Sequence, residues 1–334
     1  MCSPLPLPPE DAVRVPGMLL IHTGDDDDVW NDVLSRMGEL PGMRQAAGHE
    51  AVADAATQPS LRRRLIVAHD PTWRGATVED VTAALEQQPG AWVPNLILLT
   101  DDRTTNNAQA RPLLAYTCYQ KDVDSFWITP RQSAMTYLAL GHPGASWAIE
   151  RFVDTAPADL EYDLEEDEEP DEESFYEPMG VEMESLANPP RYTRPAHELP
   201  LLDHEWDLLV RTDFTDDAAW GSLLQQVSQP VNGDTSDNFL DQLTCVNDPA
   251  FADATPEQVM AQVRPHPDRG DTVADVILIA DATTLRGSGH RVLAIPLTDD
   301  IGLTFRVGAG QIGTMLPNLG LSNQGIEDWR GSDT

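Results

Sequence analysis

Asp-Leu-Leu-Val-Arg-Thr-Asp-Phe-Thr-Asp-Asp-Ala-Ala-Trp, residues 207–220, passes from an apolar run through an acidic break into a helical pattern. Leu208, Leu209 and Val210 form the short apolar run of a buried strand. Thr212 to Asp217 supplies N-cap side chains, and Trp220, Leu223, Leu224 and Val227 then recur at helical spacing. The stretch is therefore strand, acidic turn, helix. A degraded copy lies near the N-terminus: Leu19, Leu20 and Ile21, then His22-Thr23-Gly24, then Asp25 to Asp28, then Trp30, Val33 and Leu34. Two copies of one domain follow from this match.

The rest of the chain repeats in the same order. After the first strand (18–21) and helix (29–37), the first copy has an irregular or partly helical insert over 40–64. A second strand over 65–68 ends in His69-Asp70-Pro71, and Thr77 caps a helix carrying Val78, Val81 and Leu85. A third strand over 95–100 closes on Asp101-Asp102; two strands over 112–119 and 125–129, a helix over 132–140 and a short element near 147–152 complete the unit. In the second copy Asn247-Asp248-Pro249 answers His69-Asp70-Pro71, and Thr255-Pro256-Glu257 answers Thr77-Val78-Glu79. Val276 to Asp281 answers Leu96 to Asp101, and Phe305-Arg306-Val307 answers Phe126-Trp127-Ile128. The expected fold is α/β: two tandem copies of a small α/β domain with a mainly parallel central sheet, joined by an acidic disordered linker. The expected boundaries are a proline-rich lead-in over 1–17, copies over 18–155 and 201–330, and the linker over 156–200.

Charge is the extreme property. The formal net charge is -35 over 334 residues. Residues 159–184 hold 14 acids and no base, and taking those 14 from 35 leaves 21 negative charges on the remainder. Such a chain repels nucleic acid and anionic lipid, so neither direct nucleic-acid binding nor membrane binding is expected. No apolar run approaches the ~18 residues of a membrane span. Residues 1–17 lack the basic-then-apolar order of a secretory signal. Cys2, Cys118 and Cys245 are an odd set with no paired spacing. Cys118 and Cys245 sit in strand-like runs and read as buried free thiols, so a cytoplasmic protein is expected. In the linker, Phe175 and Tyr176 follow Glu168 and Glu169. A solvated tether explains the segment; an acidic-aromatic docking segment is the functional alternative.

Acidic groups gather at strand C-termini in the second copy: Asp213, Asp216 and Asp217 after its first strand, Asp248 after its second, Asp281 after its third. In an open α/β sheet those ends converge on a crevice where ligands bind, and carboxylates there can hold a divalent metal. Helix and turn capping accounts for the same residues without any metal, because Asp side chains accept from orphan N–H groups. The phosphate-loop, dinucleotide-fold, HExxH and GxSxG patterns are absent. Gly308 to Gly313 spells GxGxxG but reads as a helix entry, and His69, His204, His266 and His290 show no metal-ligand spacing in sequence. Arg211 and Arg306 are expected to pair with nearby carboxylates.

At Leu209-Val210-Arg211-Thr212-Asp213-Phe214, with Asp216-Asp217 and Trp220, the second copy resembles an uncharacterised bacterial domain family. Further motifs agree in order: Asn247-Asp248-Pro249-Ala250-Phe251, Ala280-Asp281-Ala282-Thr283, Thr304-Phe305-Arg306-Val307, and the tail from Asn318 to Trp329. The resemblance spans about 206–329; the first copy departs from it at His22-Thr23-Gly24. It implies the repeated unit and carries no activity, and it implies that any family site is kept in the second copy. No catalytic residue and no cofactor is expected. The leading expectation is a non-enzymatic acidic protein that neutralises or scaffolds a basic protein partner, as immunity and antitoxin proteins do. A metal-assisted hydrolase or transferase using the five acids, and a structural subunit of a larger assembly, are the alternatives.

Overall fold

The structure, a computed structural model, describes residues 4–10, 15–41, 43–46, 63–117, 125–140, 192–204, 207–229, 243–265, 276–297, 304–321 and 323–329. Among them the chain forms two compact units, one up to residue 140 together with 192–194, the other from 195 onward. Cys2, Cys118, Glu168, Glu169, Phe175, Tyr176 and the element expected near 147–152 lie outside the described residues.

The first unit runs β1 (Gly17–Ile21), α1 (Asp27–Met37), β2 (Met43–Ala46), β3 (Arg64–Ala68), α2 (Val78–Glu86), β4 (Leu96–Leu99), α3 (Asp102–Asn106), β5 (Leu113–Tyr116), β6 (Ser125–Ile128) and α4 (Pro130–Ala139). Its six strands lie in the order β2-β3-β1-β4-β5-β6. The four from β2 to β4 are parallel, and β5 and β6 extend the sheet as an antiparallel hairpin beyond β4. Every residue of β1 is buried, as a central parallel strand covered on both faces requires. Leu19, Ile21, Ile66, Ala68, Ile97 and Leu99 point to one face, where they join a core with Trp73, Val81 and Trp92. α1 buries Val29, Trp30, Val33 and Met37 and runs beside α4. Asp26 starts α1 by accepting from the Asp28 and Val29 amides at 2.8 and 3.2 Å, and Gly38 ends it at φ 86°.

The second unit runs β7 (Leu202–His204), β8 (Asp207–Arg211), α5 (Asp217–Val227), β9 (Leu243–Val246), α6 (Pro256–Gln262), β10 (Val263–Pro265), β11 (Val276–Ala280), α7 (Ala282–Arg286), β12 (Arg291–Pro296), β13 (Phe305–Gly308) and α8 (Ile312–Gly320). The main sheet has the order β13-β12-β11-β8-β9, and β7 with β10 makes a separate two-stranded parallel pair. As in the first unit, β8 lies between two parallel neighbours and an antiparallel hairpin closes the β11 side. Trp220, Leu223 and Val227 of α5 share one core with Leu278, Val307 and Met315.

The registers superimpose the copies residue by residue. Ile21 pairs with Ala68 and Leu99, and Val210 pairs with Val246 and Ile279. The next residues, His22 and His69 in one unit, Arg211 and Asn247 in the other, therefore occupy equivalent strand-end positions. The α/β repeat with a mixed, largely parallel sheet stands as expected.

Four local expectations change. The insert over 40–64 contains β2, an edge strand paired with β3 through its backbone. The lead-in joins the first unit: Leu5 is buried, and the Trp92 indole donates to the Val15 carbonyl at 2.6 Å. The end of the expected linker belongs to the folded units too, since Tyr192 and Leu199 are buried and the Glu39 amide donates to the Tyr192 carbonyl at 2.9 Å. Cys245 is exposed, because β9 pairs on one side only among the described strands. Among the described residues no helix is long and apolar enough to cross a membrane.

Candidate functional site

All five acids of the second copy stand at the C-terminal ends of its parallel strands, and each has work there already. Asp216 caps α5, accepting from the Ala219 amide at 3.0 Å. Asp248 accepts from the Ala250 amide at 2.9 Å and starts the short turn over Pro249–Phe251. Asp281 caps α7 through the Thr284 amide at 2.9 Å. The same carboxylate takes both arms of Arg306, at 3.1 and 2.5 Å, which is the strong planar form of this pair. Burial works against the Asp281 charge, but the bonds from Arg306 and Thr284 outweigh it and hold the carboxyl below the usual range.

Asp213 is buried at 6% exposure and accepts from the Thr215 amide at 2.8 Å, with Arg286 at 3.5 Å. Hydrogen bonds from Thr215, and then the two arginines, hold its carboxyl low. Asp217 reaches back to Arg211 at 2.8 Å. That arginine is buried beside Phe214 and Trp220, with its guanidinium 4.6 and 5.7 Å from their ring centres, and it also donates to Asn247 at 3.2 Å. Capping and ion pairing thus account for the acids, and Arg211 and Arg306 pair as their surroundings suggested.

The first copy carries different side chains on the same frame. His22 replaces Arg211 and stacks on Trp30, ring centres 4.8 Å apart and 16° between planes. His69 replaces Asn247, its ring 4.8 Å from that of His22. Asp27, at the first turn of α1 as Asp217 is of α5, lies 3.3 Å from His69 Nε2 and 3.8 Å from His22 Nδ1. Among the described residues these three form the one group of metal-capable side chains that converges, with their ligand atoms all within 4.8 Å of one another. Burial, and then the neighbouring His69, lowers the His22 pKa. The spacing of these residues in sequence gives no hint of this. The hint lies in the repeat, since each histidine directly follows one of two strands that pair side by side.

A second exchange lies on the hairpin side of the sheet. Trp127 stands where Arg306 stands and packs on Arg103, 4.8 Å from guanidinium to ring centre. Asp101, equivalent to Asp281, caps α3 through the amides of Arg103 and Thr104 at 2.9 and 3.1 Å. It has no arginine fork, and burial pushes its carboxyl up. The same cap position therefore holds its charge tightly in one copy and reluctantly in the other.

Residues 18–159 and 207–333 both match the family described as domain of unknown function DUF6924. The chain belongs to this family. Its two matched segments coincide with the two copies derived from the sequence, so the family unit is the strand, acidic turn and helix frame described above. No curated protein and no solved structure matches the chain. The two family units differ in their side chains at the strand ends, besides the extra edge strand of the first and the separate strand pair of the second.

Proposed function

We propose that this protein is a non-enzymatic acidic binding protein that presents two related α/β units to a protein partner with a basic face. The observation that carries this is the formal net charge of -35, most of it outside the 14-acid run. Acids at the helix starts contribute to it from the surface: the side chains of Asp25, Asp27 and Asp217 are 89%, 59% and 91% exposed. Supporting it, the strand-end acids of the second copy serve as caps and arginine partners. A field of this sign speeds encounter with a basic surface and disfavours nucleic acid and anionic lipid. A cytoplasmic setting fits the three unpaired-looking cysteines of the sequence.

Affinity capture on the full chain tests this at about 0.1 M and about 1 M salt, conditions that differ several-fold in screening length. The expected result is a small set of basic proteins retained at low salt and released at high salt, each then binding the purified chain directly with the same salt dependence. A retained set no more basic than the extract, or direct binding indifferent to salt, overturns it.

A further inference from the structure

The two units put different chemistry under the same tryptophan. In the second, the buried guanidinium of Arg211 lies beside Trp220 and pairs with Asp217 at 2.8 Å, so a cation fixed to the chain meets the first-turn carboxylate. In the first, the equivalent carboxylate, Asp27, faces two imidazoles instead. We propose that His22, Asp27 and His69 bind a divalent transition metal ion of the zinc class, which supplies in the first unit the positive charge that Arg211 carries in the second.

The donor set fits that class. Two imidazole nitrogens and one carboxylate oxygen suit zinc and its neighbours, whereas magnesium and calcium prefer oxygen ligands throughout. Ligands at about 2.0–2.2 Å from one ion lie roughly 3–4 Å apart. The 3.3 and 3.8 Å separations from Asp27 to the two rings fall in that span. The ligand atoms all lie within 4.8 Å of one another, so the outermost pair has to close by about 0.8 Å to reach the top of that span. His69 and Asp27 are 45% and 59% exposed and can make that movement, while His22 is buried and held by Trp30.

Charge also favours a dication. Asp25, Asp26 and Asp28 flank Asp27 in sequence. The opposing group is Arg74, 3.8 Å from Asp27 and 3.8 Å from Asp25; it is 41% exposed and keeps Asp25 as a partner when it leaves Asp27. Three protein ligands leave a fourth position on the exposed side, the open form of zinc site.

Cobalt(II) uptake by the full chain tests this, read by its visible absorption and by competition with zinc, with magnesium as the control ion. His69→Asn, which copies Asn247, and Asp27→Asn are the variants, since both positions are exposed and neither holds the core. The expected result is a cobalt site displaced by zinc and not by magnesium. Each variant should weaken it at least about 100-fold, beyond the usual loss from an outer-shell partner alone. Metal-free melting of both variants should stay at the wild-type temperature. No cobalt uptake by the wild-type chain, or uptake unchanged in both variants, overturns the assignment.

Discussion

At the scale of single residues, the strand-end carboxylates differ in how firmly they hold a proton, and that difference is measurable. Asp281 sits below its ordinary pKa because Arg306 and Thr284 bond its charged form. A folded-state pKa depressed below the unfolded value of about 3.9 stabilises the fold above that pH, and the contribution disappears as pH falls through the folded value. Asp281→Asn should therefore cost the second unit about 1.5–3 kcal/mol at pH 7, the scale of hydrogen bonds to a charged group. The gap from wild type should shrink as pH falls below about 4, in urea melts followed across pH. A gap that stays constant with pH would place the effect in packing instead. Trp220 is 6% exposed within the core of its unit, so Trp220→Ala should cost about 3–5 kcal/mol through the cavity it leaves. A loss below about 1 kcal/mol in the same melts would put the side chain outside the core.

At the scale of elements, the sheet depends on close approach at one point. A Cβ on Gly17 would overlap the carbonyl oxygen of Arg64 on β3 and lie 2.7 Å from the Trp92 ring. Gly17→Ala should then destabilise the first unit by about 3 kcal/mol, the upper part of the usual range for overpacking, seen as an earlier melt of that unit. What was legible in the sequence follows the physics of each element. The central strands β1, β8 and β11 were readable as unbroken apolar runs, because burial on both faces leaves no polar alternation. The helices α1, α2 and α5 were readable from Asp26, Thr77 and Asp216, whose side chains must satisfy orphan amides. The edge strand β2 was not, because Met-Arg-Gln-Ala joins the sheet through backbone bonds rather than a hydrophobic pattern. Exposure of Cys245 was missed for the opposite reason, since an apolar run on an edge strand resembles a central one. The convergence of His22, Asp27 and His69 was hidden because strand pairing, and not spacing along the chain, brings the histidines together.

At the scale of the whole molecule, the like-charged run over 159–184 lies along the sequence between the two family copies and is too poor in apolar residues to build a core of its own. An acid-specific protease should cut within 165–184 first and leave two protease-resistant fragments, visible as a stable pair of bands; resistance there would mean the run is docked. The two pieces need not respond alike to change, even where their backbones agree. Gly75 donates its amide to the Thr23 carbonyl at 2.7 Å, and Asp253 donates to the Thr212 carbonyl at 2.9 Å, closing the same loop onto the same strand end. Both residues are left-handed, at φ 70° and 58°. Glycine takes that conformation freely but gives the unfolded chain more states to lose, whereas aspartate limits the unfolded chain and carries steric strain when folded. Gly75→Ala should thus cost about 1–2 kcal/mol, while Asp253→Gly trades strain against chain entropy and should shift the melt little. One hydrogen bond, kept in both halves of a duplication, is limited by the denatured ensemble in one and by native geometry in the other.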